Sequence, residues 1–129
     1  IDSVTEHELL REHVVAYQLD GALFFGASQR FLLELADVSD VKFVILRLGR
    51  LRVLDATGAQ AIGDLVSRLQ HRGITVLMTS VRPDHRRLLD QIGVIDELEH
   101  EDRVVPTIAD ALDYVHGRET VERELATAS

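Results

Sequence analysis

Residues 42–79, KFVILRLGRLRVLDATGAQAIGDLVSRLQHRGITVLMT, decide the fold class. Lys42 to Leu48 is nearly continuous apolar sequence, as a strand covered on both faces requires. A loop rich in glycine and arginine follows, then the turn Asp55-Ala56-Thr57-Gly58. Ala61, Ile62, Leu65, Val66 and Leu69 then form one apolar stripe at helical spacing. Basic His71 and Arg72 precede Gly73, which marks the end of that helix. Ile74 to Thr79 is again a β-prone apolar run. Strand, helix and strand in this order predict a parallel pair joined by a crossover helix.

The same reading extends outward. His13–Leu19 and Ala22–Gly26 are two short β-prone runs around Asp20-Gly21, which predicts a hairpin. Residues 1–12 are polar without a clear period and read as a linker. From Ala27, Phe31, Leu32, Leu35 and Val38 recur at helical spacing, with Ser28 as N-cap. Pro83 opens a helix carrying Leu88, Leu89 and Ile92, stopped by Gly93. Val94–Leu98 reads as a short final strand, Thr107–Val115 as the last helix, and 117–129 as an acidic tail that frays. The expectation is an α/β domain over residues 13–116: a small mixed, mostly parallel sheet with an initial β-hairpin and about four helices.

Composition narrows the function. The 129 residues carry 14 Lys+Arg against 22 Asp+Glu, a formal net charge of −8. A chain so charged repels a nucleic-acid backbone, so no nucleic-acid partner is expected. Residues 1–95 hold 12 acids and 11 bases, whereas 96–129 hold 10 acids and 3 bases. The acidic end is either a solvated face or a docking surface for a basic protein partner. Without cysteine there is no thiol nucleophile and no Cys-based zinc site. His7-Glu8-Leu9-Leu10-Arg11 starts like a zinc-protease helix but lacks the second histidine. Dinucleotide, P-loop and nucleophile-elbow motifs are absent, and the six histidines lack metal spacing. No enzymatic activity, metal or cofactor is expected.

Ligands of open α/β sheets sit beyond the carboxyl ends of the strands. Two such ends carry candidate residues. Thr57-x-x-Gln60 fits a capping box, and the same helix start offers free N–H groups suited to a phosphate. Arg50 and Arg52 lie close before it, and Arg47 in the preceding strand, while Asp55 opposes an anion there. The second end is Ser80 with Arg82, Arg86 and Arg87, either a solvated basic face or an anion contact.

These motifs resemble a known module. Tyr17-Gln18-Leu19-Asp20-Gly21 followed by Ala22-Leu23-Phe24-Phe25-Gly26-Ala27, the loop Leu54-Asp55-Ala56-Thr57-Gly58, and Gly73-Ile74-Thr75-Val76-Leu77 together resemble the STAS domain. That domain is shared by sulfate transporters and anti-sigma factor antagonists. In the antagonists the loop usually reads Asp-Ser-Ser-Gly, with the hydroxyl before the glycine phosphorylated. Thr57 holds that position here, and Ala56 departs from the pattern. LDGALFF at residues 19–25 is similar instead to the first turn of the SulP family of anion permeases. The chain begins at Ile1, which agrees with a piece cut from such a permease.

The resemblance implies a non-catalytic regulatory domain at the cytoplasmic face of the cell membrane, partnered by the membrane domain of its parent transporter. Some family members bind guanine nucleotides. That extends the phosphate reading to GTP or GDP held by Asp55, Ala56, Thr57, Gly58, Arg52, Ser80, Arg82 and Arg86. The alternative is a free-standing anti-sigma factor antagonist switched by phosphorylation at Thr57.

Overall fold

The computed structural model describes residues 4–11, 14–23, 41–99 and 103–128. At its centre lies β3, Phe43–Leu54, flanked in parallel by β2, Val14–Leu23, and β4, Thr75–Thr79. β1, Val4–Arg11, pairs antiparallel with β2, and the two-residue β5, Val104–Val105, pairs parallel with β4. The five strands lie in sequence order, β1-β2-β3-β4-β5. The α/β class with a mixed, mostly parallel sheet is as the sequence predicts.

Alternation along the central strands builds two cores. Val15, Tyr17, Val44, Leu46, Val76 and Met78 point to one face. There they meet Ile62, Leu65, Val66 and Leu69 of α1, Ala56–His71. Leu89 of α2, Pro83–Gln91, and Ile95 and Leu98 of α3, Val94–Glu99, complete that core. Val14, Ala16, Phe43, Ile45 and Leu77 point to the other face. They pack on Ala111 and Val115 of α4, Ile108–Ala128. Full burial of each such side chain is worth about 1.5–3 kcal/mol, so the hydrophobic sandwich around β3 dominates the fold.

α1 ends as predicted. Gly73 takes φ +80°, Gly73 N donates to Gln70 O, and Ile74 N donates to Leu69 O, each at 3.0 Å. This is a Schellman closure, which needs a left-handed residue where the glycine stands. Gly63, in the middle of α1, lets α2 and α3 come close: a Cβ there would lie 3.0 Å from Val94 Cγ2 and 3.1 Å from Ile92 Cδ1.

Several expectations are corrected. Residues 4–11 of the expected linker form β1, so the hairpin is β1–β2. An edge strand is held by main-chain pairing along one side and tolerates polar sequence without a period. Asp20-Gly21 is not a turn, because β2 runs through it to Leu23. The expected loop at 49–52 is strand as well. Gln18 faces Arg47 but Asp20 faces Arg50, and Gly21 faces Leu51 but Ala22 faces Val53. Each slip puts one extra residue into β3. The double bulge buries Leu48, Leu51 and Leu54 at intervals of three, which hides the period of a strand.

Val94–Leu98 is helical and belongs to α3. The last helix does not stop at Val115 but continues to Ala128 through the expected tail, whose Ala, Glu, Arg and Leu content favours helix. The helix expected from Ala27, with Ser28 as its cap, lies outside the described residues, as do Phe24 and Phe25.

Candidate functional site at the carboxyl ends of the strands

β3 delivers Asp55 directly into α1. Asp55 is extended, with φ −97° and ψ 177°, and its Oδ1 accepts from Gly58 N at 2.7 Å. Its carbonyl accepts from Ala59 N at 2.9 Å. Asp55 is therefore the N-cap. The capping box expected at Thr57 is not formed, and Gln60 turns to Asp64 Oδ1 at 3.3 Å. The cap needs an acceptor one residue before the helix, and Thr57 already lies inside the first turn. Ala56 and Thr57 are exposed, as is Arg52 at the end of β3. The N–H groups of Ala56 and Thr57 have no intrahelical acceptor, as at any helix start. The Asp55 carboxylate already offsets part of the positive end of the helix.

The second predicted end is built differently. Ser80 follows β4 in the left-handed region, with φ 55°. Its N donates to Val105 O at 3.2 Å and its Oγ to Pro106 O at 2.9 Å. The hydroxyl thus ties the end of β4 to the approach to α4. Arg82 reaches back to β3, with Nε 3.4 Å and Nη2 3.3 Å from Gly49 O. Gly49 also lets Ser80 come close, since a Cβ there would sit 3.0 Å from Ser80 Cβ. His85, which lies between Arg82 and Arg86 in the sequence, is buried at 5% exposure. Its Nδ1 has no hydrogen-bond partner among the described residues. Arg86 is half-buried on the first turns of α2 and Arg87 is exposed.

Ser80 and Arg82 thus converge on Gly49, while Asp55, Ala56, Thr57 and Gly58 form the start of α1. Beside Ser80 and Gly49 lies a cavity of about 310 Å³, walled also by Gln18, Arg47, Thr79 and Thr107. Its walls do not include Thr57, Arg52, Arg82 or Arg86. Gln18 is missing from the sequence prediction, and Thr79 enters it only as the end of its strand. Their shared feature is strand register, which no local motif records.

Tyr17, next to Gln18, points into the opposite, apolar core. Burial there pushes its phenol pKa above the ordinary value of 10.0. No group of His, Asp or Glu among the described residues is placed to hold a metal ion. No described helix is long and apolar enough to cross a membrane.

The STAS domain family model matches residues 9–111. The chain belongs to the STAS domain family. A sulfate transporter family protein from Wolinella succinogenes is 32% identical, with TM-score 0.71 over 83% of this chain and 88% of that one. The SulP transporter STAS domain from Vibrio cholerae is 27% identical, with TM-score 0.71 over 88% of both chains. The unphosphorylated anti-sigma factor antagonist SpoIIAA has TM-score 0.71 at 18% identity, over 87% of this chain and 96% of that one, a likeness of fold. No curated protein matches the chain. This STAS domain therefore resembles both the SulP transporter domains and the anti-sigma factor antagonists.

Proposed function

We propose that this STAS domain is a non-catalytic regulatory and interaction module of a SulP-type anion transporter, at the cytoplasmic face of the membrane. The observation that carries this reading is the 32% identity to a sulfate transporter family protein over most of both chains. LDGALFF at residues 19–25 supports the same branch. The partner is the membrane domain of the parent transporter. Anion uptake by the full-length gene product, with and without residues 1–129, tests this. Altered uptake with the membrane domain still folded is expected. A full-length product that has no membrane-spanning segment sinks the proposal.

The start of α1 is the proposed nucleotide contact, with GTP or GDP as ligand. The exposed Ala56 and Thr57 and the unpaired first N–H groups support a phosphate there. Arg52, Arg82 and Arg86 supply further donors at this edge of the sheet, and the Ser80 hydroxyl can accept there. Amide shifts of labelled protein with GTP, GDP and ATP should centre on Asp55–Ala59. Shifts elsewhere alone would remove the site. The antagonist reading makes a different demand, stoichiometric labelling of Thr57 by a cognate kinase. Phosphate adds about −1.5 to −2 charges, and at Thr57 they would stand two residues from the Asp55 carboxylate.

A further inference from the structure

We propose that the cavity between the start of α4 and the ends of β2, β3 and β4 binds a small tetrahedral oxyanion of the sulfate or phosphate type.

Strand register makes its floor. Gln18 of β2 lies opposite Arg47 of β3, and Arg47 lies opposite Thr79 of β4. The three side chains form one row across the sheet, on the face that α4 covers. Further toward the strands' amino ends, the same face is occupied by Ala16, Ile45 and Leu77. The apolar packing thus gives way to a polar row where α4 begins.

Gln18 is only 6% exposed and Thr79 1% exposed, and both line the cavity. The main chain of Gln18 is paired in the β-ladder, and its side chain makes no hydrogen bond among the described residues. The amide opens on the cavity rather than into closed packing, and polar groups so placed are normally satisfied by water or ligand.

The walls are cationic. Arg47 and the exposed Arg50 both line the cavity, and no wall residue is acidic. Arg50 is there because the bulge after Arg47 inserts a residue into β3.

The roof is the first turn of α4. Thr107 Oγ1 accepts from Asp110 N at 3.1 Å and donates to Asp110 Oδ2 at 2.8 Å. Asp110 thus brings a carboxylate to the first turn of α4, where the Thr107 hydroxyl engages it. The N–H groups of Ile108 and Ala109 have no intrahelical acceptor, and Ile108 borders the cavity. Two guanidiniums, a buried amide, a hydroxyl and a helix start form a donor-rich shell for a dianion.

The size argues against a whole nucleotide. At about 310 Å³ the cavity lies at the lower end for small-molecule sites. No aromatic side chain among the wall residues could stack a base. The site is separate from the start of α1 and stands whether or not that end takes a nucleotide.

The test is a titration of labelled protein with potassium sulfate and with potassium phosphate, against potassium chloride at matched ionic strength. Saturable amide shifts are expected at Gln18, Arg47, Thr79 and Ile108. Arg50→Gln, at an exposed position, should weaken binding roughly tenfold, the loss of one charge-assisted contact. Arg47→Met should weaken it at least as much, and Gln18→Leu by less. If Arg47→Met fails to fold, Arg50→Gln and Gln18→Leu decide the matter. Shifts that do not saturate, or that chloride reproduces, overturn the proposal. So does saturation confined to Asp55–Ala59 and unchanged by Arg50→Gln. Acetate binding as tightly at the same residues would overturn the tetrahedral assignment. GTP binding there more tightly than phosphate would overturn the free-anion one.

Discussion

Two helices start at the same edge of the sheet, on opposite faces, and they handle their free N–H groups differently. α1 is capped by a carboxylate, Asp55, which brings a negative charge to the positive end of the helix. α4 is capped by the neutral hydroxyl of Thr107 and stands over a row that holds Arg47. Each start carries a carboxylate of its own chain, Asp55 at the cap of α1 and Asp110 in the first turn of α4, and the second stands beside two arginines that line a cavity. Sequence alone points to the start of α1 and to the end of β4 as anion contacts, and the arginines of the cavity favour the start of α4. A capping residue is not evidence for a ligand; the charges gathered around the helix start decide what remains to be bound.

The largest expected effect tests what holds the α4 side in shape. Gly49 has no Cβ, and one built there would lie 3.0 Å from Ser80 Cβ. Ser80 is pinned by its φ of 55° and by its bond to Pro106 O, so it has little room to yield. Gly49→Val should destabilise the protein by about 2 kcal/mol through overpacking, although valine is ordinarily the better strand residue. Urea denaturation reads this directly. A neutral or stabilising result would mean that β3 and the end of β4 are not locked together.

The next effect separates the two caps. Asp55→Ala should cost about 1 kcal/mol, and Asp55→Asn should recover most of that because the amide oxygen can still accept. Thr57→Ala should change stability by less than about 0.5 kcal/mol, as an exposed surface substitution does. Thr107→Ala should cost about 1 kcal/mol on the other side. A Thr57→Ala loss as large as that of Asp55→Ala would restore the capping box and undo the contrast.

A smaller effect concerns His85, whose Nδ1 is buried without a partner among the described residues. His85→Leu exchanges a polar ring of similar size for an apolar side chain. It should leave stability unchanged or raise it by up to about 1 kcal/mol, since an unsatisfied polar atom is removed. A loss above 1 kcal/mol would show that the ring nitrogen has a partner in solution.

Much of this was legible because it is local. The strand at 43–48, the stripe of α1 and the closure at Gly73 each follow from residues within one or two turns of one another. The errors share a different cause. Asp20-Gly21 carries the chemistry of a turn, yet β2 continues because β3 beside it accommodates two extra residues. Val94–Leu98 is apolar enough for a strand and becomes α3, settled by its packing beneath α1. Val94 lies against Gly63. The site divides in the same way. Asp55 and Thr57 stand in a recognisable loop, but Gln18, Arg47 and Thr79 come from three strands and become neighbours only through register.

Consecutive residues of β2 offer the finest test of the two faces. Gln18 points toward the polar cavity, and Tyr17 points into the apolar core at 4% exposure. Desolvation there raises the Tyr17 pKa above 10.0. The unfolded chain therefore releases this proton before the folded one does. Below pH 10 the phenol is protonated in both states and adds no slope. As pH rises past 10, ionisation stabilises only the unfolded chain, and stability falls until the folded-state pKa is passed. Tyr17→Phe removes this slope, so its stability relative to the parent should improve between pH 9 and about pH 11, the alkaline side of the phenol's ordinary pKa. Urea midpoints measured across that range for parent and variant give the comparison. Parallel curves would mean that water reaches Tyr17, and the α1 face of β2 would then be no drier than the face that carries Gln18.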